Sequence, residues 1–301
     1  MSETGNHAPS DPADGNSGGL FTITTHEFSA FRELIHREAG ISLSEAKEQL
    51  VCSRLGKRLR HLKLESFSQY YDYLMNHDPV GEERLQMINC ITTNKTDFFR
   101  ENHHFDFLRD QVIPEIRERA LRGRPKRLRI WSAASSTGEE PYSIAMTVRE
   151  AFGGTAGWDV KILASDIDTA VLHAAEQGVY KQEKLADIPE DLLRRYFLRG
   201  KGEWEGYFKV KRELREMITF RRVNLIEPWP FKTRFDAIFC RNVVIYFGRP
   251  TQQRLFEQLA RVLSAEGYLF VGHSENLYWL SDLLVSLPGT IYRLRQTGDA
   301  E

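Results

Sequence analysis

Four short stretches of this chain hold residues able to do chemistry. The first, Ser132-Ala-Ala-Ser-Ser-Thr-Gly138-Glu139-Glu140-Pro141, follows an apolar run. Its small residues let a ligand approach the backbone before a helix begins at Pro141. It is not a GxGxxG fingerprint, and Glu139 and Glu140 stand where a pyrophosphate would meet the helix N-terminus and be repelled. A carboxylate there suits a ligand carrying positive charge and hydroxyls; stabilising the helix dipole is the bland alternative. The second stretch, Ser165-Asp166-Ile167-Asp168, ends another apolar run, and Asp166 is placed to accept hydrogen bonds from ribose hydroxyls. Asp168 has a sufficient structural role as a helix N-cap. The third is Cys240-Arg241-Asn242: a buried strand rarely finishes with Arg and Asn unless they have partners, so a polar site is expected at that edge. Cys240 itself has no paired His and reads as a small core residue. The fourth, Thr92 to Arg100, alternates polar residues with the pair Phe98-Phe99 between two parts of the chain, where clefts are often found.

The elements that must position these residues follow from periodicity. From Thr25 to about Asn89, apolar residues recur at helical spacing (Phe28, Phe31, Leu34, Ile35, then Leu50, Leu55, Leu59, Leu62, and onward), which predicts a small all-helical domain over 20–91. Its second helix, about Ser44 to Leu62, carries Arg54, Lys57, Arg58, Arg60 and His61, either a solvated face or a docking surface for an acidic partner. Residues 92–109 read as a linker that contributes to the cleft, with a further helix from about His103 to Leu121. Beyond it, over 110–301, strands (RLRIWSAA, DVKILASD, RFDAIFCRN, GYLFVGHSE) alternate with helices (PYSIAMTVREAF, TAVLHAAEQGVY, TQQRLFEQLARVL). That order predicts a doubly wound, mainly parallel α/β sheet of Rossmann-like type. The terminal GTIYRLR follows without a long helix and is expected to insert antiparallel. Residues 200–222 alternate as strands do and predict a small antiparallel β insertion, with a helical middle as the alternative.

Bulk properties set the remaining bounds. A chain of 301 residues, 41% hydrophobic and 28% charged, reads as globular with room for two domains, and residues 1–19 read as a disordered tail. No apolar run approaches the roughly 20 residues of a membrane span. The net charge of −1 gives no long-range field toward nucleic acid. Cys52, Cys90 and Cys240 lie far apart without CxxC pairing, and His103, His104 and His273 lack ligand companions, so no metal site is expected and the compartment reads as reducing cytoplasm.

Taken together, TTNKTDFFRE from Thr92, WSAASSTGEEPYSIAM from Trp131, ASDIDTAVL from Ala164, VNL at Val223, DAIFCRNVVIYF from Asp236 and GHSEN from Gly272 resemble the chemotaxis receptor glutamate methyltransferases, the CheR family. The match runs in order and spacing from about residue 25 to 295; AASST stands where relatives more often have AAAST, a conservative change. The resemblance implies an S-adenosylmethionine-dependent enzyme, with S-adenosylhomocysteine as product, that esterifies glutamate side chains on receptor cytoplasmic helices. It implies that Asn94, Thr96 and Arg100 approach the cofactor from the linker, Glu140 its amino acid part, Asp166 its ribose, and Asn224 with Leu225 its adenine. Arg241 and Asn242 would line the methionine end, with Tyr246 beside the reacting methyl and Arg100 and Tyr246 as catalytic candidates. An acidic receptor surface would meet Arg54, Arg58 and Arg60, and the β insertion matches one that some members use to hold a receptor's C-terminal pentapeptide. The alternatives are an S-adenosylmethionine-binding module without catalysis and a methyltransferase acting on another substrate.

Overall fold

The computed structural model describes residues 21–296, so the tail expected over 1–19 lies outside the described residues. Four helices form the first domain: α1 (Thr25–Ala39), α2 (Glu48–Leu62), α3 (Phe67–Asn76) and α4 (Glu82–Ile91). Thr24 caps α1 in a reciprocal capping box with Glu27, which satisfies two orphan amides at once. The helices close on Phe31, Leu55, Phe67 and Tyr70, all fully buried, with Phe31 stacked on Tyr70 and edge-on to Phe67. The residues expected to open α2 instead make a 3-10 turn, Glu45–Lys47.

The linker is shorter than 92–109, because α5 (His103–Phe107) already continues through a π turn, Leu108–Val112, into α6 (Ile113–Leu121). Then follow β1 (Arg127–Ala133), α7 (Glu139–Phe152), β2 (Asp159–Asp166), α8 (Thr169–Gln177), β3 (Val179–Lys181), α9 (Glu190–Tyr196), β4 (Phe197–Arg199), β5 (Tyr207–Val210), α10 (Arg212–Arg215), β6 (Ile218–Arg222), β7 (Phe235–Cys240), α11 (Arg249–Val262), β8 (Leu263–Phe270), β9 (Leu284–Leu287) and β10 (Ile291–Leu294). The main sheet has the order β6-β2-β1-β7-β8-β10-β9, and its first five strands run parallel. As expected, β10 inserts antiparallel beside β8; β9 is an additional edge strand. Alternate strand residues face opposite cores: Leu128 and Ile130 pack with helices α5 to α7, while Trp131 and Ala133 pack with α11, so the sheet is covered on both faces.

The small antiparallel sheet exists but differs in composition from the 200–222 expectation. It has the order β3-β5-β4, so two of its three strands precede that window. Gly178, in the left-handed region at φ 61, ends α8 earlier than TAVLHAAEQGVY implied and releases Val179–Lys181 as a strand. Conversely, Ile218 and Phe220 join the main core, which draws β6 into register with β2; one helical turn, α10, fills the middle.

The two domains meet tightly. Ile41 pairs with Phe247, the Ser42 amide donates to the Tyr246 carbonyl at 2.7 Å, and the Asn224 side chain donates to the Glu38 carbonyl at 2.8 Å. Gly40 ends α1 at φ 72, and a Cβ there would lie 2.6 Å from the Ile226 side chain, so both conformation and space demand glycine. Among the described residues no helix is long and apolar enough to cross a membrane.

Candidate functional site

A cleft of about 520 Å³ opens between the domains at the carboxyl ends of β1, β2 and β7. Strand order reverses there, β2 lying on one side of β1 and β7 on the other, so the loops leaving these strands diverge and leave a crevice. Asn94, Thr96, Arg100, Glu140, Asp166, Asn224, Leu225, Arg241, Asn242 and Tyr246 all line it. Five of the seven non-glycine residues with positive φ among the described residues belong to its loops: Phe99, Glu101, Ala134, Ser136 and Asn242. Such strain persists only where surrounding contacts over-determine the backbone, a condition common at binding sites.

Those contacts are largely carboxylate-centred. Glu140 at the start of α7 accepts from the Ser132 hydroxyl at 2.7 Å and from Arg241 at 2.9 Å. The Arg241 guanidinium also lies 3.2 Å from Glu101 and donates to the Arg100 carbonyl, tying the linker to the end of β7. Burial raises the pKa of Glu140, and the facing charge of Arg241 opposes that rise. Burial would also raise Glu101, but a hydrogen bond with His273 and the charge of Arg241 outweigh it and hold the carboxyl at about 2. Asp166, buried at the tip of β2, accepts from the Ser136 amide at 2.8 Å and the Asp168 amide at 3.0 Å. Desolvation still pushes it up to about 6, for among the described residues no cation is paired with it. At the base of the cleft Glu140 thus shares the Arg241 guanidinium with Glu101 behind it, and Asp166 has no cation paired with it among the described residues, while Lys47, Arg54, Lys95 and Arg100 supply positive charge elsewhere on the walls.

Several of these lining residues also organise the walls of the cleft. Both donors of the Asn224 amide are engaged, by Glu38 and by Glu227 at 2.8 Å. The Asn94 amide donates to Asp168 at 2.8 Å, and Asp168 at the same time caps α8. The Thr96 carbonyl accepts from Lys184 at 3.0 Å. Glu139 turns away from the cleft toward Thr137 and Lys184, so of the adjacent pair only Glu140 faces the site. Sequence reading did not single out Glu101, which directly follows Arg100 and pairs with Arg241, or Glu275 in GHSEN, which accepts from the Asn242 amide. It also missed the first-domain wall formed by Ile41, Ser42, Leu43 and Leu50, which lies far off in sequence.

The three arginines expected to form one docking face do not share a face. Arg54 donates to the Ile91 carbonyl at 2.5 Å and the Thr92 carbonyl at 3.0 Å and lines the cleft. Arg58 pairs with the buried Glu83 at 2.5 Å, and Glu83 also accepts from the Tyr70 hydroxyl at 2.8 Å. Arg60 alone of the three is exposed, its guanidinium 6.0 Å above the Phe21 ring. Helical spacing is the cause: residues 54 and 58 stack one turn apart beside α4, and residue 60 falls on the outer side.

Groups of three or more His, Cys, Asp or Glu side chains that could hold a metal are absent among the described residues. Carboxylates without sufficient countercharge suit an organic ligand with a cationic centre and hydroxyls, and cations on the same walls suit a second, anionic reactant. Residues 94–292 match the family described as CheR methyltransferase, SAM binding domain, and residues 26–92 match CheR methyltransferase, all-alpha domain. Chemotaxis protein methyltransferase 2 of Pseudomonas aeruginosa is 50% identical over 282 residues, 93% of this chain and 96% of that one. Chemotaxis protein methyltransferase of Escherichia coli is 43% identical over 274 residues, 90% of this chain and 92% of that one.

Proposed function

The chain belongs to the CheR methyltransferase family, and from that premise we propose that it methylates glutamate side chains of methyl-accepting chemotaxis receptors in the cytoplasm. S-adenosylmethionine is the cofactor of this methylation, and when bound it supplies a sulfonium methyl group open to nucleophilic attack. The observation that carries the reading is the pair of lining carboxylates at the base of the cleft, Asp166 without a paired cation among the described residues and Glu140 sharing Arg241 with Glu101.

In this reading Asp166 accepts from the ribose hydroxyls, and Glu140 faces the cationic amino acid end. Leu225 with the neighbouring Asn224 bounds the adenine. Asn94 and Thr96 close the linker side; Arg241 and Asn242 bound the methionine end. The acceptor needs no general base, since a glutamate with a pKa near 4.3 is already an anion at neutral pH. Attack joins opposite charges that cancel as the bond forms, so orientation rather than added charge stabilisation should supply the rate. Arg100 orients the incoming carboxylate, and Tyr246 borders the reacting methyl. Receptor helices approach the first domain through Arg60 and the cationic walls, and the edge of the small sheet accepts a receptor C-terminal pentapeptide by strand addition.

The test is calorimetric binding of S-adenosylmethionine and S-adenosylhomocysteine, then methyl transfer to receptor cytoplasmic fragments with and without their C-terminal pentapeptides. Binding with transfer to glutamate is the expected result. Binding without transfer to any fragment would favour a binding module or another substrate, and absent binding would remove the cofactor reading.

A further inference from the structure

We infer that Glu275 is a positioning residue for methyl transfer, its carboxylate stapling the loop that carries Asn242 and Tyr246 to the strand beyond it. The inference rests on the methyl-transfer reading above. Strands β7 and β8 stay paired through Phe239 and Phe270, after which they part to open the cleft. Parting strands leave backbone amides without ladder partners, and buried amides are rarely left so. One carboxylate gathers three of them. Glu275 accepts from Asn242 at 2.7 Å and Val244 at 2.9 Å on the β7 side, and from Gly272 at 2.7 Å on the β8 side.

The staple is buried and its fit is close. Glu275 is 3% exposed. Among the described residues no side-chain cation is paired with it, so backbone dipoles alone hold the charge, and burial raises its pKa against their effect. A Cβ at Gly272 would lie 2.4 Å from the side-chain nitrogen of Asn242 and 2.9 Å from the Glu275 carboxylate, so the two sides are closely packed across the staple. Asn242 is held at φ 56, a conformation that needs such restraint. Farther along, the Tyr246 carbonyl takes the Ser42 amide of the first domain, so the loop is fixed at its entry by Glu275 and at its exit by Ser42. Asn242, Val243, Ile245 and Tyr246 all face the cleft between these two points.

Glutamine has one carbonyl oxygen where glutamate has two acceptors, so Glu275→Gln must turn an amide N–H₂ toward at least one of the three donors. Loosening a loop beside reacting atoms without removing any group that touches them should lower kcat about tenfold to a hundredfold and leave KM for receptor within about twofold. The experiment measures kcat, KM, the S-adenosylhomocysteine dissociation constant and Tm for Glu275→Gln, Tyr246→Phe and the double variant, with Glu275→Asp as a charge-retaining control. Support is a kcat loss in a folded, cofactor-binding Glu275→Gln, with Tyr246→Phe costing less in that background than in the native one. Unchanged kcat, additive losses, or losses of kcat and binding that only follow the unfolded fraction would overturn it. Should Glu275→Gln not fold, Glu275→Asp decides: reduced kcat with retained binding supports the staple, and native kcat overturns it. A native protein without turnover would instead sink the methyl-transfer reading, and is thereby distinguished.

Discussion

Arg241 stands between Glu140 at 2.9 Å and Glu101 at 3.2 Å, so one guanidinium joins the helix after β1, the end of β7 and the linker between the domains. Its side chain is 2% exposed, where an ion pair is held by geometry and any missing partner is costly. Arg241→Ala should therefore destabilise the chain by about 3–5 kcal/mol. Urea unfolding measures this, and calorimetry should show loss of S-adenosylhomocysteine binding even in the folded fraction. A stable variant with native affinity would show that Glu140 and Glu101 need no bridge.

Asp166 gives a pH dependence with two opposite signs. Its folded pKa of about 6 lies above the ordinary 3.8, so its contribution to stability is full at low pH and is lost as pH rises through about 6. That rise corresponds to at most about 3 kcal/mol. Ligand affinity should run the other way, because the ionised carboxylate is the better acceptor for ribose hydroxyls. Unfolding and S-adenosylhomocysteine titrations at pH 5 and pH 8 should show both trends relative to Asp166→Asn, in which both should flatten.

Arg100 lines the cleft and reaches the Lys95 carbonyl at 3.2 Å, leaving most of its guanidinium donors for a ligand. Arg100→Ala should lower receptor methylation about a hundredfold with little change in Tm. A fully active variant would remove it from the mechanism.

Arg58 and Arg60 should separate stability from docking. Arg58→Ala leaves Glu83 buried with only the Tyr70 hydroxyl, at a cost of about 3 kcal/mol. Arg60→Glu, on the exposed side, should change stability by no more than about 0.5 kcal/mol while weakening receptor methylation and sparing cofactor affinity. Unaltered methylation would mark that face as merely solvated.

Gly40→Ala would set a Cβ 2.6 Å from Ile226 in a backbone at φ 72. Overpacking of this kind costs about 1–3 kcal/mol, and because Ile41 and Ser42 continue into the cleft wall, S-adenosylhomocysteine affinity should fall with stability. A fall in stability alone would show that the domains can shift without disturbing the cleft.

The local patterns settled much of this protein. Apolar spacing fixed four helices and then alternating strands and helices, because a 3.6-residue or two-residue period selects which face is buried whatever the neighbours. The acidic tips at Glu140 and Asp166 and the polar strand end at Arg241 were legible because ligands gather at the carboxyl ends of such strands. Where chain segments from different regions compete for one partner, pattern alone was insufficient. Ile218–Arg222 alternates as an insertion strand does, yet pairing with β2 decides its sheet. Arg54, Arg58 and Arg60 look alike in a row, but Glu83 and the Ile91 carbonyl claim two of them. The bond from the Asn224 amide to the Glu38 carbonyl, 186 residues away, leaves no local sign in the sequence. Glu275 has no periodicity to announce it, since its role exists only where β7 and β8 part. Element identity is encoded in short-range periodicity, whereas the partner of each polar group depends on which distant segments tertiary packing brings within hydrogen-bond reach, and that only the folded structure determines.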